Sequence, residues 1–246
     1  MTAKRLWLLD VLRGAALLNM LAYHALYDWV YVFGHVSSWY DIGAAGCHVW
    51  QQYICWSFIL VSGYSFTLAR RPWKNGLLVA GCAVVLTVVT VGFMPSESIW
   101  FGVLHLNAAA VLLSWALRPL LEKCPAGLGL AVSALLFALT NQVPQGYLGF
   151  ETLRLCALPK AWYSPNWFWL GLPDLTKFYS ADYFPLIPWL FLFWCGLFLA
   201  RLWRPRAGLA PRVLRPLALV GRHTLLVYML HQPVLYGALW LGHALC

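Results

Sequence analysis

The stretch KRLWLLDVLRGAALLNMLAYHALYDWVYVF, residues 4–33, decides the fold. It is apolar and long enough to predict a membrane-spanning helix, which needs about 20 residues. Four ionisable side chains interrupt the apolar run, namely Asp10, Arg13, His24 and Asp28. Ionisable groups inside a span are costly, and they usually face the interior of a helix bundle or a water-filled cavity. The stretch therefore predicts that the first helix lines a functional cavity.

The spacing of these residues predicts two polar positions on one helix face. At about 100° per residue, His24 falls about 40° short of alignment with Asp10, and Asp28 returns to the direction of Asp10. Arg13 lies roughly 60° to one side. A rise of about 1.5 Å per residue separates Asp10 from His24 by about 21 Å. We call Asp10 with Arg13 the Asp10 station, and His24 with Asp28 the His24 station.

The composition indicates an integral membrane protein. Of the 246 residues, 62% are hydrophobic and 10% are charged, whereas in a soluble domain about a quarter are charged. We therefore expect an all-α, polytopic bundle that forms a single domain over residues 1–246. The net charge of +9 comes from basic residues at the predicted helix ends. Membrane topology and anionic lipid headgroups explain such a pattern, so we expect no nucleic-acid partner.

Seven membrane spans are predicted from the apolar runs. They cover about residues 5–31, 48–70, 73–93, 99–119, 126–142, 184–203 and 216–243. Most of the 17 Lys and Arg residues lie at alternate ends of these spans, beginning with Lys4 and Arg5. The positive-inside rule then predicts a cytoplasmic N-terminus and an outer C-terminus. The long connection 143–183, rich in aromatic residues and proline, is expected at the outer interface or over the outer mouth of the bundle.

Acid–base chemistry is predicted in the outer half of helix 1. His24 and Asp28 are one turn apart, so they pair directly or converge on one neighbour. A carboxylate beside an imidazole fixes its tautomer, as a general base requires. The structural alternative is a His–Asp pair that only locks helices together. His35, in the loop after Gly34, is either a second acid–base group or a solvated loop residue.

Further candidates lie in three other segments. His105, in FGVLHLN, either faces His24 or has a hydrogen-bonded structural role. His231 and Gln232, in GRHTLLVYMLHQPVLY, precede a proline that either opens space at a site or makes an ordinary kink. Arg222, at the cytoplasmic end, is a candidate for binding phosphate groups together with Arg13.

Further alternatives concern the arginines, a glycine and the cysteines. Arg70 and Arg71 are topology signals or a part of this phosphate cluster, and the alternative for Arg13 is a local pair with Asp10 or with a neighbouring helix. Gly63 is expected to permit close helix approach. Seven cysteines without a CxxC motif predict no metal site. Cys47, Cys156 and Cys246 fall on one predicted side, where they form a bridge or serve as small packing residues.

Several segments resemble a known family. They are RLWLLDVLRG, HALYD, FILVSGYSF, FGVLHL, FPLIPWL and GRHTLLVYMLHQPVL. Together they resemble the catalytic membrane domain of heparan-α-glucosaminide N-acetyltransferase, and they look closest to its short bacterial members. The resemblance implies an enzyme of the bacterial inner membrane, although this chain lacks the extra spans and the lumenal portion of the animal enzyme.

The resemblance also implies a reaction and its site residues. Acetyl-CoA from the cytoplasm would be the acyl donor, and an amine or hydroxyl of an amino sugar or glycan on the outer side would be the acceptor. By position relative to the D-x-x-R-G motif, His35 matches the catalytic loop histidine of the animal enzyme. His24 with Asp28 matches the helix-1 pair of the bacterial members. Both histidines therefore stay candidates for the base.

The residues are compatible with the donor that the resemblance implies, because a donor with phosphates at one end and a thioester at the other needs two positions on one tunnel wall. The two stations of helix 1 supply them, with Asp10, Arg13, Arg222, His105, His231 and Gln232 as the donor-binding residues. Transfer is direct or passes through an acetyl-histidine. Two other functions stay open, a small proton-coupled transporter and a b-type haem or quinone protein with His24, His105 and His231 as ligands. Membrane lipids are expected partners, and a homodimer is an alternative to a monomer.

Overall fold

The computed structural model describes residues 6–245, with side chains described for residues 6–244. Over these residues the chain forms nine α-helices and one two-stranded sheet. The helices are α1 (Trp7–Tyr27), α2 (Ala45–Phe66), α3 (Pro72–Phe93), α4 (Val103–Ala116), α5 (Arg118–Lys123), α6 (Ala126–Thr140), α7 (Leu186–Leu202), α8 (Arg215–Arg222) and α9 (Thr224–Leu245). The strands are β1 (Tyr147–Phe150) and β2 (Leu153–Ala157). The expectation of a mostly helical chain is confirmed.

The first helix extends beyond α1 as a π-helical turn. This turn covers Asp28–Val32, and the N–H of Phe33 donates to the carbonyl of Asp28 at 2.9 Å. Gly34 follows with φ of +75°, a left-handed conformation that glycine adopts without strain and that ends the helix. The predicted helix over residues 5–31 therefore matches the structure where the structure describes it, while Lys4 and Arg5 lie outside the described residues.

The structure differs from the expected secondary structure at two places. The predicted helix 216–243 is two helices, because the chain leaves helical geometry at His223, with φ −106° and ψ 26°. The chain is mostly helical as expected, but β1 and β2 add an antiparallel hairpin inside the 143–183 connection. Gly149 has φ of +146°, and a side chain there would meet the carbonyl of Leu153. The hairpin lacks an Asn-Gly or Asp-Gly turn, the motif from which a hairpin is most readily predicted.

Three helical segments in the described part of the chain are long and apolar enough to cross a membrane, namely Pro72–Phe93, Ala126–Gln145 and Thr224–Ala244. Val103–Ala116 and Leu186–Leu202 are apolar but shorter. Helices α1 and α2 have 21 and 22 residues but are not in this group. Polar residues such as Asp10 and Arg13 lower the hydropathy of α1. The seven-span topology and its orientation stay predictions.

The chain divides into two compact units. The first comprises residues 1–61 and 205–246, and the second comprises residues 62–204. The expectation of one functional domain over residues 1–246 stays a prediction.

In the first unit, α1 and α8 approach closely through two glycines. A side chain at Gly14 would meet the carbonyl of Leu217, and one at Gly221 would meet the carbonyl of Asp10. Small residues at a helix interface let the two backbones come together. The glycines of the D-x-x-R-G and G-R-H-T segments therefore bring α8 against the first half of α1.

Helices α1 and α9 run parallel in this unit. Contacts along α1 follow the same order as their partners on α9: His24 contacts His231, Asp28 contacts Gln232, and beyond α1 the ring of Phe33 lies 5.5 Å from that of Tyr236. Leu17 and Met20 are buried against Val227 and Tyr228 in the same interface. The parallel arrangement aligns the His24 station with the H-Q-P segment.

The second unit contains the end of α2 and the helices α3 to α7. Gly63 lies against the backbone of Phe193, where a Cβ atom would meet its carbonyl, so the expectation that Gly63 permits close helix approach is confirmed. Trp194 donates to the hydroxyl of the buried Ser114 at 2.9 Å, and Tyr64 donates to the carbonyl of Trp203 at 2.6 Å. The buried Tyr64 and the partly buried Trp194, both with their polar atoms hydrogen-bonded, hold these helices together.

Candidate active site

Two histidines face each other at the His24 station. The ring centroids of His24 on α1 and His231 on α9 are 4.9 Å apart, with 59° between the ring planes. Nδ1 of His231 contacts the carbonyl of Tyr228 at 2.5 Å. Because a carbonyl only accepts, Nδ1 carries the hydrogen and Nε2 of a neutral His231 is an acceptor. The two imidazole rings are therefore neighbours, and no hydrogen bond joins them directly among the described residues.

Asp28 is fully buried next to this pair. Its exposed fraction is 0%, and the side-chain nitrogen of Gln232 donates to its two carboxylate oxygens at 2.9 and 3.0 Å. Among the described residues, no hydrogen bond joins the side chains of Asp28 and His24, although the backbone N–H of Asp28 donates to the carbonyls of Ala25 and His24 within the helix. His24 and Asp28 thus neither pair directly nor converge on one neighbour, since each contacts a different, adjacent residue of α9.

Gln232 has one hydrogen-bonding group to spare. Its side-chain oxygen is buried and has no partner among the described residues. A buried acceptor without a donor costs free energy, and such groups frequently mark a binding site. A ligand group that donates a hydrogen bond, such as an amine or a hydroxyl, would satisfy this oxygen.

The Asp10 station is an ion-pair cluster. Asp10 is buried, with 2% of its surface exposed. Nη1 of Arg13 lies 3.3 Å from one carboxylate oxygen, and Nε of Arg222 at the end of α8 lies 3.5 Å from the other. The local ion pair of Arg13 with Asp10 is therefore present, and Arg222 forms a second ion pair with the same carboxylate. One carboxylate between two guanidinium groups leaves the cluster with a positive charge.

The predicted separation of the two stations holds in the structure. Asp10 and His24 lie on one uninterrupted α-helix, so their Cα atoms are about 21 Å apart. The C-terminal segment supplies a partner to both stations, Arg222 to the first and His231 with Gln232 to the second.

His35 lies outside the His24 station. Its ring stacks on Trp29 with centroids 3.7 Å apart and meets the edge of His243 at 5.6 Å. His243 is twelve residues beyond His231 on α9, about 18 Å along the helix. The Nε2 atom of His35 is buried and has no hydrogen-bond partner among the described residues. The two candidate bases therefore occupy different levels of the first unit.

His105 belongs to the second unit. Its Nε2 lies 3.2 Å from the hydroxyl of Thr87, and that hydroxyl donates to the carbonyl of Ile99 at 2.8 Å. Because the hydroxyl has only one hydrogen, Nε2 of His105 must be the donor to Thr87. Nδ1 is then an acceptor, buried and without a partner among the described residues. Arg70 and Arg71 also belong to this unit, and both are exposed.

Asp182 is a polar residue that sequence reasoning missed. It lies just before α7 and accepts a hydrogen bond from the N–H of Val103, the first residue of α4, at 3.0 Å. The loops around it pair through their backbones, since Ala181 donates to Ser98 at 3.1 Å and Phe184 donates to Phe101 at 2.9 Å. Burial raises the pKa of Asp182 to about 6, against the opposing effect of the Val103 N–H. The partner is 79 residues away in the chain, so no local pattern signals this contact.

Tyr40, which follows the His35 loop, was also missed. It is 2% exposed, and its hydroxyl donates to the carbonyl of Tyr23 at 3.2 Å. Burial raises its pKa, and the neighbouring Tyr23 adds to this effect. Tyr40 therefore fixes the loop that carries His35 against α1, next to His24.

The described residues contain no group of three or more His, Cys, Asp or Glu side chains that could hold a metal ion. The six described cysteines are free thiols, including the buried Cys47 and the exposed Cys156. The bridge considered between these two is therefore wrong, and Cys246 lies outside the described residues.

Comparison with known protein families identifies a family for this chain. A family model described as heparan-alpha-glucosaminide N-acetyltransferase, catalytic, matches residues 5–233. This range is nearly the whole chain and contains both stations and the H-Q-P segment. No match was found among curated proteins or among solved structures.

Proposed function

The chain belongs to the heparan-alpha-glucosaminide N-acetyltransferase catalytic family, and on this premise we propose that it acetylates a sugar across a membrane. The donor is acetyl-CoA on the cytoplasmic side. The acceptor is an amine or hydroxyl of an amino sugar or glycan on the outer side, and the membrane is the bacterial inner membrane. Family membership favours this function over a proton-coupled transporter or a haem or quinone protein.

One observation carries the proposal. Four polar side chains that are far apart in the sequence lie together on the parallel helices α1 and α9: His24, Asp28, His231 and Gln232. Polar groups are expensive inside a membrane, so a cluster drawn from two helices is expected to have a function. An imidazole pair next to a buried carboxylate is suited to proton transfer at neutral pH.

His24 is the general base in this proposal. It takes the proton of the acceptor amine or hydroxyl as the acceptor atom attacks the thioester carbonyl, and the carbon–sulfur bond breaks as the new bond forms. The leaving thiolate of coenzyme A receives a proton in return, so the enzyme ends the cycle unchanged. His231 shares the proton, while Asp28, held by Gln232, stabilises the positive charge that forms on the imidazole. The buried oxygen of Gln232 accepts a hydrogen bond from the acceptor.

The Asp10 station binds the other end of the donor. Arg13 and Arg222 retain a net positive charge after pairing with Asp10, and guanidinium groups bind phosphate with charge-assisted hydrogen bonds. The separation of about 21 Å between the stations requires an extended ligand, and acetyl-CoA is extended, with phosphates at one end and its thioester at the other. His105, which belongs to the second unit, stays a prediction as a donor-binding residue.

The parallel contact of α1 with α9 supports the proposed topology. Two parallel helices that both span a membrane cross it in the same direction, so the number of spans from the first to the last is odd. Seven spans meet this condition and agree with the alternation of Lys and Arg along the sequence.

Turnover of histidine variants tests the proposal. Purified protein is incubated with acetyl-CoA and glucosamine, and release of free coenzyme A is measured. Loss of a general base costs about 100-fold or more in rate, so His24→Ala should lose turnover while His48→Ala, an exposed histidine on α2, keeps it. If His24→Ala keeps full activity and His35→Ala loses it, the general base is His35 in the loop. A folded wild-type protein that binds no coenzyme A species would overturn the proposal.

A further inference from the structure

The connection before α8 and α8 itself form a basic surface with exposed apolar side chains. We call residues 205–219 the basic segment. Its arginines Arg206, Arg212 and Arg215 are all exposed. Between them lie Leu209, 77% exposed, and Val213, 89% exposed. The segment thus places exposed apolar side chains directly beside exposed arginines, a combination that suits a membrane surface.

Among the residues that the structure describes, no acidic side chain pairs with these arginines. The sequence contains no Asp or Glu after Asp182. Arg206 and Arg212 make no hydrogen bond or ion pair with any residue that the structure describes. Arg215 uses only its Nε, which donates to the carbonyl of Ala210 at 3.3 Å. The segment therefore presents three guanidinium groups with unused donors.

The opposite face of the segment is fixed to the protein. Ala210 and Ala218 are buried in one cluster with Val11 of α1, and Gly221 lies against the backbone of Asp10. The arginines and the exposed apolar residues thus lie on the face that points away from α1. A short amphipathic segment with arginine beside bulky apolar residues is suited to the boundary between lipid headgroups and acyl chains.

We propose that the basic segment is a binding surface for anionic phospholipid. The guanidinium groups bind the phosphates of the headgroups, and Leu209 and Val213 insert among the first methylenes of the acyl chains. The charges point to anionic rather than zwitterionic lipid, because each Lys or Arg near a negatively charged leaflet contributes attraction of its own. This surface rests on the membrane location of the proposed function and not on its chemistry.

Lipid retention by the full chain tests this surface. The purified protein in neutral detergent is titrated with phosphatidylglycerol or phosphatidylcholine, and the lipid that remains bound is counted by native mass spectrometry. The wild-type protein should retain phosphatidylglycerol preferentially. The variant Arg206→Gln/Arg212→Gln/Arg215→Gln should lose this preference, by about fivefold for each arginine, and Val213→Ser should weaken it at unchanged charge.

A charge-matched variant provides the control. Arg70→Gln/Arg71→Gln/Lys74→Gln removes the same charge from another predicted cytoplasmic connection and should keep the preference. Three outcomes would overturn the inference. The two triple variants could lose the preference equally, or the wild-type protein could retain the two lipids equally. The third outcome is displacement of the lipid by inorganic phosphate or coenzyme A. Lipid retention by His24→Ala should match that of the wild-type protein. The lipid result and the acetyl-transfer result can therefore fail independently of each other.

Discussion

The side-chain nitrogen of Gln232 donates to both carboxylate oxygens of Asp28, at 2.9 and 3.0 Å. Asp28 is fully buried, and Gln232 is the only hydrogen-bond partner of its carboxylate in the described part of the chain. A buried carboxylate needs donors to remain charged. Gln232 therefore determines whether Asp28 can act as an anion beside the two histidines.

Removing this donor should destabilise the protein more than removing both partners. Gln232→Leu leaves a buried carboxylate without its donor, and we expect a loss of roughly 2 kcal/mol in stability. The double variant Asp28→Leu/Gln232→Leu replaces both partners with apolar groups and should be more stable than Gln232→Leu, because no buried polar group is left unpaired. Thermal unfolding in detergent measures both, and a double variant as unstable as the single one would contradict the role of Gln232.

The glycines between α1 and α8 should tolerate no side chain. In Gly221→Ala the new methyl group would meet the carbonyl of Asp10 and lie 2.7 Å from the backbone nitrogen of Gly14. Both neighbours are backbone atoms, so the helices must separate, at a cost of about 1–3 kcal/mol or more. Gly237→Ala on α9 is the matched control, because nothing lies within 4 Å of the added atom. It should unfold at or slightly above the wild-type temperature, since alanine favours the helix. Equal effects of the two substitutions would refute the close approach.

Much of the candidate site could be predicted from the first helix alone. The spacing of Asp10, Arg13, His24 and Asp28 gives the shared face and the separation, because helix geometry is regular. The partners across the interface could not be predicted in the same way. The periodicity of one helix defines which face is polar, but it does not say which residue of another helix meets it.

The errors in the predicted fold have local physical causes. The break at His223 escaped prediction because the apolar runs on the two sides of Gly221, Arg222 and His223 were joined into one span. The hairpin escaped because β1 and β2 have only four and five residues, and such short runs give a weak alternating pattern. Asp182 escaped because its contact with Val103 depends on how two distant loops meet.

The stability of the protein should fall between about pH 4 and pH 6 because of Asp182. Burial raises the pKa of this carboxyl to about 6 in the folded chain, whereas the ordinary value is about 3.9. Between these two values the folded state holds a proton that the unfolded state has released. Stability from this group is therefore fully present below pH 4 and is lost as the pH rises through 6.

The substitution Asp182→Asn tests this pH dependence. The amide oxygen can still accept from the N–H of Val103, but the side chain no longer titrates. The difference in unfolding temperature between variant and wild type should grow in favour of the variant as the pH rises from 4 to 6, and it should be constant above pH 7. A difference that does not change with pH would show that Asp182 titrates normally.

Arg222 should contribute to donor binding rather than to the chemical step. Its guanidinium lies 3.5 Å from Asp10, about 21 Å from the level of His24 along α1, so in our proposal it contacts only the phosphates of acetyl-CoA. Arg222→Gln should raise the KM for acetyl-CoA about tenfold and change kcat little, because an interaction with a part of the ligand that does not react stabilises the ground and transition states equally. Arg118→Gln is the control, since Arg118 forms an exposed pair with Glu122 that is worth little; its KM should equal that of the wild type. A fall in kcat at unchanged KM would instead mean that Arg222 acts on the reacting end through the packing of α8 against α1.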